Sequence, residues 1–172
     1  MSNFLINSYT SAALEETQYC QSESSEPQPI GNSSWNGGGS RGGVRWITGH
    51  EVIGKSVIQC TLYLKKVGSP TGTAYVRVYE QDTNTLKHTF GSIDVSTLTT
   101  SQAPYVFDTG EYVPNADDIL CCVFTGGDAS NYPAGQKDGG SGYPYQYLAD
   151  YPSESWRTAS GQGYKYCVTY TE

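Results

Sequence analysis

Basic residues are scarce in this chain. Lysine and arginine together number ten, against seventeen aspartates and glutamates, and the formal charge over 172 residues is −7. A phosphate backbone would meet net repulsion instead of the cationic stripe that nucleic-acid binding requires, so no nucleic-acid partner is expected. Long apolar runs are missing too. The longest strongly apolar stretch, Ile119 to Phe124, is strand-sized, far short of the roughly 18 residues of a spanning helix, so no membrane insertion is expected. The amino terminus, Met1 to Tyr9, has neither a basic stretch nor a sustained apolar segment. That argues against a secretory signal peptide and predicts synthesis that ends in a cytoplasm.

Metal-binding spacings are equally absent. The two histidines, His50 and His88, lie far apart, and neither C-x-x-C nor H-x-x-x-H occurs, which removes a zinc site from consideration. The five cysteines are an odd number, and Cys121 and Cys122 are adjacent on one expected strand, where neighbours point to opposite faces. Cys122 falls in phase with Leu120 and Phe124, and Cys60 with Ile58, Leu62 and Leu64. Each therefore behaves as a small buried hydrophobe. The cytoplasmic expectation favours free core thiols over a disulfide framework, with a pairing of Cys60 left open.

What the chain does contain is fifteen tyrosines, twenty glycines and much Thr, Ser and Val. That composition favours short strands joined by turns and predicts an all-β chain. Its length suits one domain spanning residues 1–172, with a core that needs no staples. Gln18 to Ser22 is a short strand candidate with Tyr19 and Cys20 on opposite faces, and Pro27 to Gly43 is expected to be a Gly-rich surface loop. The clearest amphipathic strand is Ser56 to Lys66, followed after a Gly68-Ser69-Pro70-Thr71-Gly72 turn by Thr73 to Glu80. These two predict a hairpin. Further strands are expected at Val44 to Ile47, Leu86 to Phe90 and Tyr105 to Asp108, and a last one at Gly163 to Thr171 with alternating Tyr164, Tyr166, Val168 and Tyr170. Ile119 to Thr125 is apolar on both faces and predicts a central core strand. Gly126 to Gly142 is expected as a second Gly-rich loop. About eight antiparallel strands with two long loops fit a β-sandwich of jelly-roll type.

The middle of the chain carries a resemblance. Ile53-Gly54-Lys55-Ser56-Val57, the run from Thr61 to Tyr79, the Thr-rich Asp94 to Thr100, and Gly126 to Tyr132 together resemble jelly-roll domains of viral and cell-surface proteins. Such domains look like carbohydrate-binding modules and occur in phage and archaeal-virus structural proteins and in large adhesive proteins. The resemblance spans residues 50–132, rests on turn and strand chemistry, and bears on fold more than on activity. It implies a non-enzymatic structural virion protein (a capsid decoration, coat or tail component), made in a host cytoplasm and assembling with itself or other virion proteins as a homo-oligomer. A glycan-binding or adhesion module is the alternative. A glycoside hydrolase-like jelly roll ranks third, since no paired carboxylates or base beside a nucleophile can be picked out by spacing.

The best site candidate is the aromatic segment holding Tyr143, Tyr145, Tyr147, Tyr151, Trp156 and the following Arg157. Flat amphipathic rings beside polar groups suit either a subunit interface or stacking against sugars. Asp117, Asp118 and Asp128, with Asn131 and Asp138, offer hard oxygen ligands for a structural calcium. No spaced D-x-D-x-D pattern supports that, so solvated turn aspartates rank ahead of it and no cofactor is expected. Both histidines are expected to be satisfied surface imidazoles, not a base or a ligand.

Overall fold

The computed structural model describes residues 14–21, 26–31, 40–138, 146–150, 155–159 and 163–172. In chain order the strands are β1 (Glu16–Cys20), β2 (Glu26–Pro29), β3 (Arg41–Arg45), β4 (Ser56–Val67), β5 (Thr73–Glu80), β6 (Leu86–Asp94), β7 (Ala103–Phe107), β8 (Asp118–Val123), β9 (Tyr132–Asp138), β10 (Gln146–Asp150), β11 (Ser155–Ala159), β12 (Gly163–Tyr164) and β13 (Tyr166–Thr171). The helical content among the described residues is one 3-10 turn, Val95–Thr97, capped by the Asp94 carboxylate accepting from the Ser96 N–H. The chain is all-β, with antiparallel strands in two sheets.

Sheet A runs β1-β13-β4-β9-β12, with β2 on β9 and β7 on β4; sheet B runs β11-β10-β3-β8-β5-β6. The main core fills the space between them, with Val57, Cys60, Leu62, Leu64 and Val168 from sheet A meeting Val44, Val76, Val78, Leu120 and Cys122 from sheet B. β5 follows the expected alternation, with Ala74, Val76 and Val78 buried. In β4 the phase differs from expectation at one point. Val57 and Cys60 are both buried and Ile58 is not, because Val57, not Ile58, opposes Tyr170 in β13. Ile58 is the extra residue of a β-bulge, which resets the alternation.

β8 is buried on both faces, as its unbroken apolar run requires. Leu120 and Cys122 enter the main core, while Ile119, Cys121 and Val123 join Tyr79 in a second cluster on the outer face of sheet B. Tyr164 bridges the sheets. A Cβ on Gly135 of sheet A would lie 2.1 Å from its ring, and one on Gly42 of sheet B 2.1 Å from its hydroxyl. Both glycines are there because the tyrosine takes the space.

Several expectations are corrected. The stretch Pro27 to Gly43, expected as a loop, carries most of β2 at its start and the first half of β3 at its end, with Gln28, Ile30, Arg41 and Gly42 buried. Gly126 to Gly142 likewise contains β9, an inner strand of sheet A. Glycine count suggested looseness, but a glycine against a large ring, as Gly42 and Gly135 are against Tyr164, is a packing residue. β4 and β5 are not a hairpin, for they sit in different sheets and the Gly68–Gly72 turn carries the chain across the sandwich. Thirteen strands, not about eight, appear among the described residues.

Candidate functional site

The aromatic segment chosen from the sequence contributes β10 and β11, which extend sheet B beyond β3. Tyr143, Tyr145 and Tyr151 lie outside the described residues, and Tyr147 and Arg157 are placed by register only, opposite each other's neighbours as Tyr147↔Thr158 and Leu148↔Arg157. Trp156 is half-buried. Its ring stands 6.0 Å from that of Tyr79, and the Arg41 guanidinium lies 4.1 Å from the Tyr79 ring and 5.5 Å from that of Trp156. β11 is thus the end strand of sheet B, and its Trp156 reaches across the outer face to help cover the Ile119, Cys121 and Val123 cluster.

The expected calcium aspartates do not converge. Asp117 pairs with Arg45 at 3.5 Å. Asp118 is buried and accepts from the Tyr112 hydroxyl at 2.6 Å and the Asn115 N–H at 2.7 Å. Burial, and then this carboxylate, hold the Tyr112 phenol protonated well above the ordinary tyrosine range. Asp128 accepts from the Asn131 side chain and from the Ser130 and Asn131 N–H groups, which hold its carboxyl below its usual range. That is turn chemistry. Asp138 ends β9. Among the described residues no group of three or more His, Cys, Asp or Glu gathers around a point where a metal would sit.

The histidines are packed. Tyr166 Oη accepts from Trp46 Nε1 at 3.1 Å and lies 3.2 Å from His50 Nε2, while His50 Nδ1 accepts from the Val52 N–H at 3.4 Å. His88 sits edge-on to Phe90 at 4.5 Å and stacks on Tyr112. Burial lowers both imidazole pKa values below the ordinary 6.5.

A different feature stands at the opposite side of the sandwich from β11. Here β6 ends sheet B and β7 flanks β4 in sheet A, and among the described residues no strand pairs beyond either. A groove of about 450 Å³ runs between them. Buried Phe90 and Phe107 form its floor, Val106 lines it at 57 % exposure, and Tyr75, Ser92, Asp108 and Thr109 stand on its rim. Gly91 keeps the floor open, since a Cβ there would meet the Phe107 ring at 3.1 Å. The Thr109 N–H donates to the Phe90 carbonyl at 2.9 Å and ties the two walls together. The two edges are defended unequally. β6 carries two register shifts and Lys87, paired with Glu80 at 3.3 Å, whereas Ala103-Pro104-Tyr105-Val106-Phe107 has no charge.

No family model matches this chain, and no curated protein does. Among solved structures, one described as "Bacillus endospore appendages form a novel family of disulfide-linked pili" is similar over 99 % of this chain and 98 % of that one. The identity is 10 % and the TM-score 0.33. So distant a likeness carries no functional argument.

The cysteine expectation is half corrected. Cys20 and Cys167, opposite each other in the β1–β13 pair, form a disulfide, while Cys60, Cys121 and Cys122 are buried free thiols. Burial raises all three thiol pKa values, that of Cys122 to about 12. A bond between residues 147 apart leaves no local spacing to recognise. The groove was missed for the same reason. Its one sequence signal is the uncharged, Pro-marked run of β7, typical of an edge strand.

Proposed function

We propose that this chain is a non-enzymatic structural subunit, a jelly roll of the kind that builds virion coats and tails, which assembles with copies of itself. The jelly-roll reading is supported by strand order. Strands β2 to β9 pair as β2-β9-β4-β7 and β3-β8-β5-β6, the arrangement in which a long hairpin of four paired strands is rolled into two facing sheets.

The observation that carries the assembly reading is the undefended edge of β7 beside its groove. An unpaired strand row with an exposed Val106 next to an apolar-floored cleft is a template for another chain. The disulfide is consistent with a particle that leaves the reducing cytoplasm before the bond closes. Size-exclusion chromatography with light scattering, followed by negative-stain imaging, tests this. Wild type is expected as an oligomer or filament, and Val106→Lys, which places a charge on the edge, as a folded monomer. A wild type that stays monomeric at every concentration would sink the proposal.

A second reading draws on the same rim. Tyr75, Ser92, Asp108 and Thr109 combine an aromatic ring with hydroxyl and carboxylate groups, the mixture that holds sugars. A monomer that binds glycans on an array, and loses binding in Asp108→Asn, would favour a carbohydrate-binding module instead.

A further inference from the structure

Among the described residues β1 is the outermost strand of sheet A and pairs with β13 alone, from Glu16↔Thr171 to Cys20↔Cys167. Four of its five residues are exposed, and the half-buried one is Tyr19. The Tyr19 ring turns inwards, edge-on to His50 at 4.7 Å and 5.9 Å from Tyr166. Strand alternation then puts Cys20 and Cys167 on the outer face of the sheet. Cys20 is exposed while Cys167 is buried, so Cys20 is the half of the bond open to an approaching thiolate.

A strand with so little buried surface belongs to the least stable part of a fold. Its neighbour does not, because β13 buries Tyr166, Val168 and Tyr170 in the core and pairs with β4 along its whole length. We propose that the Cys20–Cys167 disulfide is a thiol-exchange site that clasps β1: opening it frees β1 and unpairs the outer edge of β13, while the sandwich stays folded.

The chemistry balances with a soluble dithiol as reductant. One of its thiolates attacks Cys20 Sγ, the Cys20–Cys167 bond breaks, and Cys167 leaves as a thiolate that takes a proton from water. The second thiolate of the reagent then attacks the mixed disulfide. Cys20 is released as a thiol, and the reagent departs as a cyclic disulfide, two electrons poorer. What remains is a β13 edge with unpaired backbone groups, open to another strand.

Hydrogen exchange read by mass spectrometry on the native full chain, with and without dithiothreitol, tests the clasp. With reductant, residues 16–20 are expected to exchange at least about tenfold faster, while 118–123 keep their protection. Iodoacetamide added after the dithiol should then label two cysteines, Cys20 and Cys167. Cys20→Ser should exchange like the reduced protein and ignore the reagent, with Cys167→Ser as the substitute if it fails to fold. Unchanged protection at 16–20 overturns the proposal. So does a loss of protection in 16–20 and 118–123 together, since the bond would then hold the whole fold and not the strand.

Discussion

Single side chains in this protein are explained by the sheet opposite as much as by their own strand. Tyr164 is buried, wedged between Gly42 and Gly135, and among the described residues its hydroxyl has no hydrogen-bond partner. Removing an unsatisfied buried hydroxyl costs nothing and relieves its desolvation, so Tyr164→Phe should match wild-type stability or exceed it by up to about 1 kcal/mol in urea denaturation. Gly135→Ala should do the reverse, losing about 1–3 kcal/mol, because the new Cβ meets a ring that has nowhere to move. Cys60, Cys121 and Cys122 are buried with raised pKa values and should resist iodoacetamide in the native state. Mass spectrometry should show three labels only after unfolding without reductant. The histidines set a pH dependence. Burial lowers the folded-state pKa of His50 and His88 below 6.5, so below that value the unfolded chain binds more protons than the fold. Stability is therefore complete above about pH 6.5 and falls as pH drops through the lower folded values, which denaturation midpoints from about pH 7.5 to about pH 5 should register.

Elements were legible where periodicity and burial agree. β5 and β8 stand almost where the alternation and the unbroken apolar run put them, since each uses side chains whose destination is fixed by face alone. In β13 the predicted alternation of Tyr166, Val168 and Tyr170 holds, and the structure shows this set to be the buried one. β2, β3 and β9 were hidden by Pro and Gly. β2 tolerates two prolines as an edge strand on β9, and β3 and β9 use glycines where a facing tyrosine needs the room. The β4 bulge at Ile58 belongs to the same class, because it is set by the register of β13 more than a hundred residues away. Asp118 shows an element end held by tertiary contacts. Asp118→Ala should strip partners from the Tyr112 hydroxyl and the Asn115 N–H, loosening the start of β8 and costing about 2–3 kcal/mol by thermal or chemical denaturation.

At the scale of the whole molecule, charge and edges decide behaviour. In the proposed assembly, copies of formal charge −7 repel one another, so contact along an uncharged strand should strengthen as salt screens that repulsion. Light scattering of the assembly is expected to rise between about 0.01 M and about 0.15 M ionic strength, where the screening length falls from about 30 Å to about 8 Å. A fall over that range would point to ion pairing as the cohesive force instead. Strand class, net acidic charge, the double-sided apolar run from Ile119 to Val123 and the alternation of tyrosines near the carboxyl terminus can all be read from the amino-acid order. These follow from composition and from a period of two, which any stretch of chain carries locally. Folding in three dimensions sets the rest: β4 and β5 part into different sheets, Cys20 meets Cys167, Trp156 covers a second cluster, and β6 and β7 leave a groove between their edges. Each of those depends on pairing across long chain separations, and hydrophobic alternation tells a strand which face to bury without telling it which strand to bury it against.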